Sequence, residues 1–262
     1  MEIICYGCGR GENPENTIEA IRHCQTVNPN WWVEMDLQIT KDGEIILFHD
    51  YNAKRITGVD KNIFDLNLDE ITTLNAAKNF KVKEAYPYRG NPIKIPTLIA
   101  VLKLFPKAKF VLDVHTNRLE AVDKIINIID EFEVEDQIVV VSQYDKTITY
   151  FKEKRANWKY GAATNEVKKI VYSSFLFLDS LFPIQSDVLL IPVKFGNITL
   201  LTKRVIKHIN QRNKKIWVWM YEGEKVVTIE SKKELDELKQ KNIHGIFTDC
   251  PRKLNNEIAL IK

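Results

Sequence analysis

From residue 98 onward the chain alternates short apolar runs with amphipathic stretches of about ten residues, and that rhythm leaves few folds open. Runs rich in Val, Ile and aromatic residues predict strands at 110–114, 138–141, near 160–162, at 188–192, 215–220 and 246–248. Between them, apolar residues at helical spacing predict helices at 98–105, 119–132, 146–154, 200–211 and 232–241. Upstream, Ile3 to Tyr6 reads as a short buried strand that ends in glycines. A helix follows from Ile18, with Asn16 or Thr17 available as its cap. A second strand runs from Trp31 through Glu34 and Asp36, and a short helix covers 66–74. Strands separated by helices make βαβ units and a parallel sheet. About eight such units in 262 residues match the α/β TIM (β/α)8 barrel in size, as a single domain over 1–262.

Within that frame the stretch 34–50, EMDLQITKDGEIILFHD, carries the densest chemistry. On a strand, residues i and i+2 share a face, so Glu34 and Asp36 converge on one point. Asp42-Gly43 favours a two-residue hairpin pairing Lys41 with Glu44, which by counting places His49 opposite Asp36. Two carboxylates beside an imidazole make a hard-oxygen cation site suited to metal-assisted hydrolysis. A solvated strand face is the plainer reading of the same pair.

Charge and composition remove other classes. The 38 basic and 35 acidic residues are mixed along the chain, so charge gives no footprint for nucleic acid. Four cysteines include a C-x-x-C at Cys5 and Cys8, but no second pair or His partner completes a zinc spacing. A thiol enzyme using Cys5 or Cys8 is a minor alternative to two small buried residues at a strand end. The start MEIICYGCGR lacks a basic stretch followed by a long apolar core, and no run of about eighteen apolar residues suggests a membrane span. A cytoplasmic protein without stable membrane insertion is expected; the oligomeric state is not legible. Residues 170–184, IVYSSFLFLDSLFPI, are unusually aromatic; a core-facing helix is expected there in preference to a membrane or dimer patch.

Four pieces together resemble the glycerophosphodiester phosphodiesterase family: PENT at 14–17, ExD at 34–36 followed by TKDG, HD at 49–50, and GIFTDCP at 245–251. Weaker echoes (IPTL at 95–98, FVLDVH at 110–115, WVWM at 217–220) keep the family's order, so the resemblance spans nearly the whole chain. It implies a TIM barrel with a small excursion after the HD strand, at about 51–95. It also implies a divalent cation, Mg²⁺ or Ca²⁺, held by Glu15, Glu34, Asp36 and Asp113, with His49 as a catalytic acid–base group. Two positions depart from the family. Its middle-strand acid is usually glutamate, where this chain has Asp113, and its phosphate-holding lysine is replaced by His115. Members open with His-Arg-Gly after the first strand. Here either Tyr6-Gly7-Cys8 takes that place, or Gly9-Arg10-Gly11 keeps the arginine and glycine without the histidine.

The resemblance therefore implies a phosphodiesterase, or a cyclising lyase, with one conventional catalytic histidine and a small phosphodiester substrate. Loss of one acid–base group costs roughly 10²–10⁴-fold, which slows such an enzyme without forbidding it. His115 is the expected stand-in, ahead of Tyr6, and Arg10 is expected at a phosphate oxygen. Arg55 and Trp219 are candidates for the mouth, and Tyr86 to Arg89 for head-group selection. A non-catalytic barrel that binds a phosphorylated ligand or a partner protein is the alternative class.

Overall fold

The computed structural model describes residues 1–83, 85–222 and 225–259 of the 262-residue chain. Its strands are β1 (Glu2–Cys5), β2 (Trp32–Ile39), β3 (Ile45–Leu47), β4 (Lys109–Val114), β5 (Ile138–Val141), β6 (Val188–Pro192), β7 (Lys194–Phe195), β8 (Ile198–Thr199), β9 (Lys215–Glu222), β10 (Lys225–Val227) and β11 (Gly245–Thr248). The helices are α1 (Ile18–Val27), α2 (Lys54–Thr57), α3 (Leu68–Thr72), α4 (Leu98–Leu104), α5 (Leu119–Phe132), α6 (Asp145–Lys154), α7 (Thr164–Phe175), α8 (Lys203–Asn210), α9 (Lys232–Gln240) and α10 (Pro251–Ala259).

Strand β1 pairs in parallel with β2 and β11, β2 with β4, β4 with β5, β11 with β9, and β9 with β6. The ring closes through residues 160–161, where Tyr160 bridges to Val140 and Gly161 to Val188, both in parallel. This is the expected eight-membered barrel. Its weak point in the sequence, the stretch near 160–162, is a bridge rather than a full strand.

Side-chain parity sorts the core. Ile4, Trp32, Val111, Val139, Val188, Trp217 and Phe247 fill the barrel interior, while their strand neighbours Val33, Leu112, Val140 and Val218 pack outward under the helices. Bulky interior side chains demand small neighbours. A Cβ on Gly245 would lie 2.3 Å from the Trp217 ring, and one on Gly161 would lie 2.6 Å from Val141. Gly245→Ala is accordingly expected to cost about 1–3 kcal/mol through overpacking. Urea unfolding should show a lower midpoint with an unchanged slope.

The hairpin register differs from the expected one. Leu37 pairs with Leu47 and Ile39 with Ile45, so Asp36 lies across from Phe48, whose amide donates to its carbonyl at 2.9 Å. The loop is three residues long rather than two: the Thr40 amide donates to Glu44 O, the Gly43 amide to Thr40 O, and Gly43 takes the left-handed φ of 83°. A one-residue slip flips faces along a strand. His49 escapes that consequence because β3 ends at Leu47, and the irregular backbone beyond it turns the imidazole back to Asp36.

After His49-Asp50 the excursion builds its own apolar cluster, in which Ile46, Phe48, Ile63, Leu66, Ile71 and Ile95 are buried. The short helix expected at 66–74 is α3, with Asn67 and Glu70 forming a capping box. The expectation for 170–184 is corrected. Ile170 and Val171 are buried on α7, but that helix ends at Phe175, and Leu176, Phe177, Leu178, Leu181 and Phe182 are exposed. A helix buries one stripe, and here large apolar residues follow one another on every side.

Candidate active site

Parity delivers the site. Glu34 and Asp36 follow Trp32 on the inward face of β2, and Asp113 follows Val111 on β4, level with Asp36 in the strand register. His115 comes two residues later, its amide bonded to Leu37 O at 3.0 Å. Tyr6 continues β1 two residues after Ile4, and Trp219 continues β9 two after Trp217. All therefore lie at the carboxyl ends of the barrel strands, where the closing loops form a mouth. Tyr6, His49, Asp50, Tyr51, Asp113, His115, Gln143 and Trp219 line a cleft of about 460 Å³ there.

One ligand oxygen from each of Glu34, Asp36 and Asp113 lies within 4.8 Å of the others. Glu34 is fully buried. Its Oε2 accepts from the Gly7 amide at 2.5 Å, while Oε1 has no hydrogen-bond partner among the described residues. Burial, then the charges of Asp36 and Asp113, hold its pKa well above the ordinary carboxylate range. An orphaned buried carboxylate oxygen, crowded by two further acids, is the arrangement a divalent cation compensates. The donor set thus fits Mg²⁺ or Ca²⁺.

His115 occupies the other side of the same acids, with Nε2 3.0 Å from Asp36 Oδ1 and 3.3 Å from Asp113 Oδ2. Burial works against its charge, but Asp113 and Asp36 outweigh it and push the pKa up to about 11. The two acids thus favour the charged form of this histidine. Asp36 is held below its usual range: burial raises it, and the His115 hydrogen bond more than offsets that.

The His49 ring lies 4.4 Å from that of His115, centroid to centroid. Its Nδ1 is bonded to Asp50 Oδ1 at 2.7 Å, and that bond is the main reason its pKa is raised. Arg55 binds Asp50 through Nε at 2.6 Å and grips Glu15 with two further bonds of 2.9 and 2.6 Å. Glu15 therefore sits outside the three-carboxylate cluster, held by the excursion. Tyr6 stacks edge-on against Trp219 and Phe247, with the Arg10 guanidinium 4.2 Å over its ring. Burial and the nearby Glu34 raise the Tyr6 phenol far above its normal value, so its hydroxyl keeps a proton to donate. Arg10 is bonded to Asp249 at 2.9 Å.

Two contributors escaped the sequence reading. Asn16 brackets Asp36, donating to Oδ2 at 2.7 Å and accepting from its amide at 2.9 Å, from a left-handed backbone that asparagine tolerates. Asp249 anchors Arg10. Both lie inside motifs already visible, PENT and GIFTDCP. The expectation for Tyr86 to Arg89 is corrected: they do not line the cleft. Arg89 lies over the Tyr86 ring, and Tyr88 packs on Phe80 and accepts from Asn75. Tyr51, hydrogen-bonded to Tyr144 across the mouth, stands in the wall instead. The thiols are structural. A bond to Cys24 and then burial raise the Cys5 pKa, burial raises that of Cys8, and both residues are fully buried.

Acids and imidazoles gathered at the carboxyl ends of barrel strands suit metal-assisted hydrolysis. Residues 8–253 match the glycerophosphoryl diester phosphodiesterase family model. The chain belongs to that family. It is 25% identical over 274 residues to lysophospholipase D GDPD1 of Mus musculus, covering 97% of this chain and 84% of that protein. A glycerophosphodiester phosphodiesterase of Caldanaerobacter subterraneus is 23% identical, over 93% of this chain and 91% of its own length. Among solved structures, a phosphodiesterase of Oleispira antarctica in complex with the product sn-glycerol-3-phosphate aligns with a TM-score of 0.78 at 18% identity, covering 99% of this chain and 97% of that one.

Proposed function

We propose that this chain is a cation-dependent phosphodiesterase acting on a glycerophosphodiester or a related lysophospholipid, with His49 as its one conventional acid–base residue. The convergence of Glu34, Asp36 and Asp113 around an unpartnered carboxylate oxygen carries the reading. Those three acids would hold Mg²⁺ or Ca²⁺, with Glu15 within the same loop system once Arg55 releases it. The cation, when bound, supplies charge neutralisation at phosphorus and lowers the pKa of an attacking hydroxyl.

The chain's own groups supply the rest. His49, kept protonated by Asp50, donates to the leaving oxygen at the cleft wall. His115 carries the positive charge that holds a phosphate oxygen, and its ring lies beside that of His49. Tyr6 lines the cleft as a donor, Arg10 lies behind it over its ring, and Trp219 gives the substrate an apolar wall. A role in lipid metabolism at a cytoplasmic location accords with this reading.

The second reading is a non-catalytic barrel that binds a phosphorylated ligand or a partner. It is favoured by Tyr6 at the first strand's end, where the family carries histidine, and by His115 bridging two of the three acids. A panel of bis-p-nitrophenyl phosphate, glycerophosphocholine and lysophosphatidylcholine, assayed with Mg²⁺, Ca²⁺ or EDTA, separates the two. Turnover abolished by EDTA and restored by cation is expected. No turnover on all three substrates, with cation binding demonstrated by calorimetry, would establish the second reading. Phosphorus NMR of the products should show a monoester; a cyclic diester would instead assign a lyase.

A further inference from the structure

We propose that Asp36, His49 and His115 form a second cation site, suited to a transition-metal ion of the zinc class, and that an ion bound there arrests turnover by engaging His49. The binding stands on geometry and donor chemistry; only the arrest rests on the function proposed above.

The first observation is convergence. One ligand atom from each of the three residues lies within 4.8 Å of the others. Asp36 Oδ1 and His115 Nε2 are 3.0 Å apart. Two donors bound to one zinc ion at about 2.0–2.1 Å lie roughly 2.9–3.4 Å from each other, so that pair already has the span of neighbouring ligands. The His49 ring stands beside it, 4.4 Å from the His115 ring between centroids and tilted by 47°. Because β3 ends at Leu47, the backbone that carries His49 can close the remaining gap without breaking a strand ladder.

The second is the support behind each donor. Asp50 Oδ1 is bonded to Nδ1 of His49 at 2.7 Å, and its other oxygen accepts from Arg55 Nε at 2.6 Å. A carboxylate on Nδ1 fixes the tautomer that offers Nε2 to a metal ion. Asn16 holds Asp36 Oδ2 at 2.7 Å, which leaves Oδ1 for the cluster. The His115 amide is tied to Leu37 O at 3.0 Å. Ligands oriented from behind in this way distinguish a metal site from a chance meeting of side chains.

Donor chemistry selects the ion. Two imidazole nitrogens and one carboxylate oxygen suit Zn²⁺ and Co²⁺, whereas Mg²⁺ and Ca²⁺ favour the all-oxygen set of Glu34, Asp36 and Asp113. The two sets share Asp36 alone. His49 and His115 line the cleft, which gives the ion its way in, and three protein ligands leave it a coordination position for water or a phosphate oxygen. On binding, each imidazole gives up the proton of its liganding nitrogen to solvent, and the oxidation state of the ion is unchanged. His49 then has no proton for a leaving oxygen, and turnover stops.

The test is a Co²⁺ titration of the full chain in excess Mg²⁺, followed by visible absorption, which is far stronger for nitrogen-ligated Co²⁺ of low coordination number than for the hydrated ion. Wild type should develop an intense band that Zn²⁺ removes by displacement. His49→Ala should lose the band, and so should His115→Lys, which keeps a positive charge but offers no ligand. Asp50→Asn retains all three ligands and should weaken Co²⁺ binding roughly 10–100-fold. Glu34→Gln, outside this set, should keep the band, and circular dichroism melts identify any variant that fails to fold. No band in wild type, or a band that survives in both histidine variants, overturns the proposal. So does a band lost in Glu34→Gln and kept in the histidine variants, which would place Co²⁺ among the carboxylates. Turnover of bis-p-nitrophenyl phosphate with Mg²⁺ should fall at the Zn²⁺ concentration that displaces Co²⁺; turnover unchanged or raised there overturns the arrest. A band without turnover under any condition would retain the site and remove the arrest together with the enzymatic reading on which it rests.

Discussion

Glu34→Gln is expected to lower kcat/KM by roughly 10³-fold or more, the equivalent of losing several kcal/mol of charge stabilisation at phosphorus. Calorimetry should show weaker cation binding, and the metal-free protein should become more stable at neutral pH. That pairing of opposite signs follows from burial. Glu34 is fully buried, crowded by Asp36 and Asp113, and one of its oxygens has no partner. A carboxyl whose pKa is raised by folding binds its proton more tightly in the folded chain than in the unfolded one. Stability therefore declines as pH rises from the unfolded carboxyl range of about 4.3 toward the raised folded value. Glutamine keeps the shape and removes that penalty. A variant that lost activity through damage to the barrel would melt earlier; this one should melt later near neutral pH, and the difference should vanish in acid. A Glu34→Gln protein with undiminished cation affinity would remove Glu34 from the ligand set.

His49→Ala is the second large effect. Its kcat should fall roughly 10²–10⁴-fold, with KM little changed, since the imidazole acts on the leaving oxygen, whereas His115 and the cation that the carboxylates would hold bind the phosphate. As a general acid, His49 is active while protonated, so the alkaline limb of the pH profile reports it. The Asp50 hydrogen bond raises the His49 pKa, which places that limb above the ordinary imidazole value of about 6.5. Asp50 itself is held at about 2 despite its burial, because His49 and Arg55 stabilise its charge. It therefore stays ionised over the working range. Asp50→Asn should bring the alkaline limb down toward the unperturbed value while leaving the acid limb in place. A profile unmoved by Asp50→Asn would mean that another group donates the proton.

These expectations differ in how far the linear sequence could reach. The alternation of strands and helices was readable because burial on both faces of a barrel strand demands uninterrupted apolar runs, and helices over a sheet demand one apolar stripe. Helix α5 and strands β5 and β6 fall where periodicity places them. Glu34 and Asp36 share a face by the two-residue repeat alone, and the same repeat carries Tyr6, Asp113 and Trp219 inward once Ile4, Val111 and Trp217 are known to be interior. The motif series around them was enough to point to a family.

Tertiary structure decided the rest, because it turned on distances between residues far apart in sequence or on single backbone torsions. The hairpin loop took three residues instead of two through the left-handed Gly43, which local composition allows but does not require. Arg55 reaches back forty positions to hold Glu15 out of the carboxylate cluster, a choice between competing partners that no spacing rule ranks. Asn16 finds Asp36, Asp249 finds Arg10, and His115 settles between two acids on neighbouring strands. The aromatic run 176–182 lies beyond the end of α7 and is exposed, which composition alone did not indicate. Periodicity states which side chains leave a strand or helix together; only the closed barrel determines what each of them meets.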